Sequence, residues 1–254
     1  MTYYIFDGSY LGYLSAFFHS FQDRELEAVP MIEEKLESSL FATKVYINTD
    51  HERAKRILKG LEKHIAKDRV HDFYRNFLSE DVHAWRIGFK LMRSIFTNNP
   101  NILKNYADAD ALAFSQSIKK MGRESHRMKA FIRFSKSADD LYSAVIEPDF
   151  NVLPLIISFF KKRFADQRWL IYDVKRRYGY LYDLRDIQEV TLSDASNSNG
   201  DLAIQIELDQ QETHYQQLWK AYFKATNIVA RKNIKLHVQH VPKRYWKYLV
   251  EKQD

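Results

Sequence analysis

The spacing of apolar residues changes along the chain, and with it the element each stretch predicts. Tyr3-Tyr4-Ile5-Phe6 is a short apolar run closed by Asp7-Gly8, which reads as a strand ending in a turn. Residues 11–21 place Leu14, Phe17, Phe18 and Phe21 on one helical face. A strand is expected at 44–47. Asp50 or Thr49 then caps a helix from His51 that buries Ile57, Leu58 and Leu61. Helices follow at 70–78 and 82–96, the second with Trp85, Phe89, Met92 and Phe96 at helical spacing before Asn98-Asn99-Pro100. The clearest helix is 107–127. Phe114, Ile118, Met121, Ser125 and Met128 form its inward stripe, and Gln116, Lys119, Lys120, Arg123 and Arg127 lie opposite.

Beyond it the period shifts toward two. Residues 128–134 alternate, which predicts a strand with Ala130, Ile132 and Phe134 on one face and Lys129, Phe131 and Arg133 on the other. Strands at 141–147, 168–174 and 178–182 flank a helix at 152–164 whose stripe is Leu153, Ile156, Ile157, Phe160 and Phe164. Ser193–Asp201 (SDASNSNGD) reads as a flexible loop. A strand at 203–207 and a helix at 212–229 come next. A short helix then starts at Pro242 and packs Tyr245, Trp246 and Leu249. The fold class is α+β, a helical N-terminal part plus a mixed or antiparallel sheet packed with helices. One compact unit over 1–254 is expected, with a sub-boundary at 193–201 and a basic helical segment at 202–254.

Composition fits a globular chain, 45% hydrophobic and 28% charged. With 16 Tyr and 17 Phe, aromatics fill the core or offer stacking faces. Cysteine is absent, which excludes disulfides, thiolate zinc sites and cysteine-held iron–sulfur clusters. The longest apolar run, 152–160, is too short to span a bilayer, and the N-terminus shows no secretory pattern. A soluble cytoplasmic chain with no membrane partner is expected. The net charge of +6 is unevenly spread. Residues 115–180 hold 14 Lys/Arg against 7 Asp/Glu, and residues 231–254 hold 7 against 2. The rest of the chain is therefore acidic. Two positive islands suit a polyanion surface, or are merely solvated faces.

Three constellations could carry chemistry. Residues 122–134 join Arg123, His126 and Arg127 to Lys129, Phe131 and Arg133. Guanidiniums four residues apart can grip neighbouring phosphates, and an aromatic between cations can stack a base. Arg123 and Arg127 could instead pair with Glu124, and Phe131 could pack under a helix. Glu147-Pro148-Asp149-Phe150-Asn151, with Asp173, offers carboxylates for acid–base work or a cation, although Asp149 is better suited to capping a helix. Residues 231–249 interleave Lys232, Lys243 and Arg244 with His240 and Trp246, which suits phosphate neutralisation plus stacking. His126 and His240 could transfer protons or be structural. No phosphate-binding glycine loop, dinucleotide fingerprint or serine elbow occurs, and no cofactor or metal site is expected.

The sequence resembles a bacterial family of DNA metabolism and repair proteins. Its shared domain has no assigned function and also occurs fused to uracil-DNA-glycosylase-like domains. The resemblance rests on Tyr4-Ile5-Phe6-Asp7-Gly8-Ser9, Gly122-Arg123-Glu124, His126-Arg127-Met128-Lys129 and Glu147-Pro148-Asp149. It extends through Asp166-Gln167-Arg168-Trp169, Asp173, Arg231-Lys232-Asn233, Gln239-His240 and residues 242–249. Residues 42–65 and 193–201 match poorly, Ser125 stands where Ala is usual, and Phe150 replaces a commonly polar residue beside Asp149. The resemblance implies a radical-SAM partner that modifies or repairs DNA. The expectation is thus a DNA-binding factor: Arg123, Arg127, Lys129 and Arg133 hold phosphates, Phe131 and Trp246 stack, and Lys243 and Arg244 extend the track. A hydrolase using Glu147, Asp149, Asp173 or His126 is the alternative, and a pure protein-interaction subunit the third. Whether the chain is an enzyme stays open at this point.

Overall fold

The computed structural model describes residues 2–36, 43–97, 99–191 and 241–253, together with Glu212, 216–218, Lys220 and Val238. The fold is α+β. The chain divides into two compact units, Met1–Gly122 and Arg123–Asp254.

The first unit holds a parallel sheet of β1 (Thr2–Ile5), β2 (Ala28–Met31) and β3 (Thr43–Tyr46) in the order β2-β1-β3. Helices α1 (Tyr10–Gln22), α2 (His51–His64), α3 (Lys67–Phe77) and α4 (Val82–Phe96) accompany it, and α5 (Ala109–Phe131) begins in it. The expected strand at 3–6 and helix at 82–96 are present. β2 escapes the sequence pattern because Pro30 sits within it. Proline lacks the N–H of a sheet ladder and is tolerated here because β2 is an edge strand. The core is aromatic. Phe77 stacks on Trp85 at 5.6 Å, and Tyr13 donates its hydroxyl to the Trp85 carbonyl at 2.9 Å. Phe18, expected inside, is instead half-buried between the guanidiniums of Arg53 and Arg56.

The turn after β1 is tightly specified. Gly8 adopts φ +81°, a left-handed conformation that costs a residue with a Cβ. Asp7 Oδ1 accepts from the Ser9 backbone and hydroxyl, and Asp7 Oδ2 accepts from Thr49 at 2.7 Å. With Thr49 so engaged, Asp50 caps α2, accepting from the backbone N–H groups of Glu52 and Arg53. Ser9 caps α1 by accepting from Gly12 N–H at 2.9 Å.

The second unit is a mixed sheet in the order β4-β5-β6-β7-β8: β4 (Ser135–Lys136), β5 (Tyr142–Ile146), β6 (Trp169–Asp173), β7 (Tyr178–Tyr182) and β8 (Ile187–Val190). β5 and β6 pair in parallel across the helical crossover α6 (Leu153–Arg163), and the other pairs are antiparallel. Every residue of β6 is buried. Phe160 and Tyr182 pack on Trp169 at 6.5 and 5.3 Å. Residues 243–248 and 250–252 form tight 3-10 turns that bury Tyr245 and Leu249 and leave Trp246 half-exposed.

One expectation fails here. Residues 128–134 are not a strand: α5 continues to Phe131, and Ile132 N–H still bonds to the Met128 carbonyl at 3.1 Å. Met121, Met128 and Ile132 are all buried, and their spacing of seven and four is helical. That stripe outweighs three alternating residues. The expected elements at 193–201 and 203–207, and most of 212–229, lie outside the described residues.

Candidate nucleic-acid interface and its acidic corner

The Glu147–Asn151 corner follows β5, and three other elements supply its partners. Glu124, on α5, is the buried centre of the cluster, with its side chain 2% exposed. Its Oε1 accepts the Tyr245 hydroxyl at 2.5 Å and the Asp149 backbone N–H at 3.0 Å, while Oε2 accepts from Arg244 at 3.0 Å. The same guanidinium reaches the Asp149 carboxylate at 2.8 Å. Burial and the Glu124 carboxylate together push the Tyr245 phenol up.

Asp149 therefore does not cap α6, and neither does Asn151. Residue Val152 holds the cap position with no side-chain bond, and Pro154 opens the helix. Asn151 accepts instead from the Tyr178 hydroxyl at 2.5 Å. On the other side of the corner, Arg176 donates to the carbonyls of Pro148 and Asp149, and Lys175 also donates to Asp149. Arg176 belongs to the β6–β7 hairpin and pairs with Asp173 at 2.8 Å. Asp173 is wholly buried and also accepts from the backbone N–H groups of Lys175 and Arg176. Burial pushes its carboxyl up against the pull of those donors. Glu147 accepts from Lys247 and, at 2.7 Å, from the Tyr248 hydroxyl. Bonds from Lys247 and then Tyr248 hold its carboxyl below the usual range, outweighing its burial.

Each of the three expected catalytic carboxylates is thus matched by a cation of the chain itself. For the buried Asp173 an unpaired charge would be prohibitively costly, so its pair with Arg176 accounts for it structurally, whereas Glu147 and Asp149 are partly open to solvent. Among the described residues, no group of three or more His, Cys, Asp or Glu could hold a metal ion. His126 lies apart from the corner's network, exposed on α5.

The expected phosphate-binding residues divide. Arg123 is exposed and forms no ion pair with a described residue, and Glu124 points away to Arg244 and Tyr245 rather than pairing with it. Arg127 is half-buried four positions on, on the same side of the helix. Lys129 holds its ammonium 5.4 Å from the Phe159 ring centre. Arg133 instead closes the end of α5, donating to the Ala130 carbonyl at 2.7 Å, and pairs with the buried Glu251 at 2.8 Å. Phe131, expected as a platform on a strand, lies on the helix and packs on Tyr245 at 5.7 Å. Arg244 is committed to Glu124 and Asp149. Trp246 donates to the Val241 carbonyl and has Lys243 and Lys252 ammoniums 6.0 and 5.4 Å from its ring. Lys232 and His240 lie outside the described residues.

Sequence reasoning missed the centre of this cluster. Glu124 is an acid inside a basic, helical stretch, and that charge anomaly was the available signal. Tyr245 was expected to pack, but its bond to Glu124 and the bonds of Arg176 to the Pro148 and Asp149 carbonyls join residues distant in the chain and left no local signal.

Fold and site define an α+β protein whose acidic corner is neutralised from within, and which turns Arg123 outward. The chain belongs to the family described as DUF4130, a domain of unknown function, whose model matches residues 82–251. That stretch includes Glu124, Glu147, Asp149, Asp173, Arg244 and Tyr245, whereas the parallel sheet of the first unit lies outside it. No curated protein matches the chain. Among the described residues, no helix is long and apolar enough to cross a membrane.

Proposed function

We propose that the chain is a DNA-binding factor of repair or modification that acts beside a radical-SAM partner. The observation that carries the binding role is Arg123, an exposed guanidinium outside the ion pairs among the described residues, while Arg133, Arg176, Arg244 and Lys247 are drawn into them. A charge kept out of internal pairs is available to a phosphate. Arg127, one turn along on the same face of α5, extends this positive ground. The resemblance alone supports DNA repair or modification and the radical-SAM partner.

The pairing of Glu147, Asp149 and Asp173 with cations favours holding the substrate over hydrolysing it. Incubation of the purified chain with duplex and single-stranded DNA, read by mobility shift and by product analysis, tests this. Retention without cleavage or base release supports the reading. No retention at low salt, or cleavage abolished by Glu147→Gln, contradicts it. Co-purification of the radical-SAM protein with the chain tests the partner separately.

A further inference from the structure

A groove of about 1020 Å³ lies where the end of α5 meets α6. Its aromatic wall is Phe134, Phe159 and Phe164. All three are half-buried, so their rings are supported from behind yet reachable. Phe134 meets Phe164 edge-on at 5.4 Å and the buried Phe160 at 5.7 Å, which fixes the wall. Lys129 and Arg163 also line the groove.

Glu212 and Gln216 add a carboxylate and an amide to the lining, beside Lys129, Arg133 and Arg163. Glu212 accepts from Lys136 N–H at 3.1 Å and from the Gln216 amide at 3.0 Å, which orients both groups. A pocket of flat apolar walls with a few fixed polar groups suits a planar ligand with a hydrogen-bonding edge. The helix adds a connection. Arg123, Arg127 and Ala130 follow one another at spacings of four and three along α5, and so share a face. Ala130 is also a groove residue. The face that carries Arg123 therefore leads into the groove within two turns.

We infer that this groove receives an unstacked base of a single strand whose phosphates lie along the Arg123 face. The inference rests on the proposed DNA-binding function and adds to it the strand state of the substrate. The cations at the groove complement the backbone on either side of the inserted base. Aromatic walls accept any base, because every base has a π-face. Duplex DNA keeps its bases stacked and has nothing to insert unless one is flipped out.

Equilibrium binding of a short labelled single strand and of its duplex, to the wild-type chain and to Phe159 variants, tests the inference. A 2-aminopurine in the single strand reports stacking. The single strand binds tighter than the duplex, and 2-aminopurine fluorescence is quenched. Phe159→Leu, which keeps apolar bulk, weakens the single strand by about five- to hundredfold, the range found for losing one stacking aromatic. It leaves duplex affinity unchanged, and Phe159→Tyr keeps the wild-type affinity. Equal binding of both forms, indifferent to Phe159→Leu, overturns the groove assignment and leaves the phosphate face standing. Binding of neither form overturns the functional reading beneath it. An apolar dye that occupies the groove and is not displaced by the single strand assigns the groove to an apolar protein segment and overturns the inference.

Discussion

The Tyr245 hydroxyl donates to the Glu124 carboxylate at 2.5 Å across 121 positions of sequence, with both side chains buried. This bond ties the C-terminal turns to α5 and fixes the corner between β5 and α6. A bond to a charged buried group contributes about 1.5–3 kcal/mol. Tyr245→Phe should destabilise the chain by about that much in denaturant unfolding. Glu124→Gln removes the charge that Arg244 and Asp149 N–H both serve; because Arg244 is 40% exposed, the guanidinium left behind is solvated and the cost should again be about 1.5–3 kcal/mol. Unchanged midpoints for both variants would contradict the role of this bond.

Glu147 supplies a pH dependence of defined sign. Its folded-state pKa is lowered by Lys247 and Tyr248. Its contribution is therefore present above the ordinary glutamate value and lost as pH falls through the lowered folded value. Because the side chain is 38% exposed, solvent screens the effect and its size stays small. Unfolding of wild type and Glu147→Gln across the acid range should show the variant with the shallower loss of stability. A steeper loss in Glu147→Gln would contradict the sign.

The continuation of α5 is testable by proline. Ala130 lies within the last turn of the helix, where proline removes a backbone hydrogen bond and clashes with the preceding turn. Ala130→Pro should cost about 3 kcal/mol. A cost within about 0.5 kcal/mol, as at an ordinary surface site, would mean that the segment is not helical.

Gly12 is required by a close approach rather than by its backbone angles. A Cβ there would lie 2.2 Å from Asp7 Oδ1 and 2.8 Å from Thr49 Oγ1. Gly12→Ala should therefore destabilise by about 1–3 kcal/mol despite the better helix propensity of alanine. Thermal unfolding of the variant checks this, and an increase in stability would refute it.

Where a segment's own period decided its structure, the sequence was readable. Trp85, Phe89 and Met92 repeat at helical spacing, and α4 occupies the expected residues. Ala130, Ile132 and Phe134 misled because three alternating positions are too few to outweigh the Met121–Met128–Ile132 stripe. Pro30 hid β2, since a proline in a four-residue strand is acceptable only at a sheet edge and edge position is not a local property. The site was readable as a set of residue types but not as a set of pairings. Asp149 looks like a helix cap because its offset before α6 is suitable, yet its carboxylate is taken by Arg244, 95 positions on. Arg244 itself looks like a phosphate ligand until Glu124 and Asp149 are found beside it.

The salt dependence of DNA binding tests the central claim most directly. Log affinity should fall linearly with log salt, with a slope of about −0.9 for each phosphate neutralised on a duplex and about −0.7 on a single strand. Arg123→Ala should lower affinity and make that slope shallower by about 0.7–0.9, with folding intact because Arg123 forms no ion pair with a described residue. An affinity indifferent to salt, or a slope unchanged in Arg123→Ala, would contradict the assignment of this face to the DNA backbone.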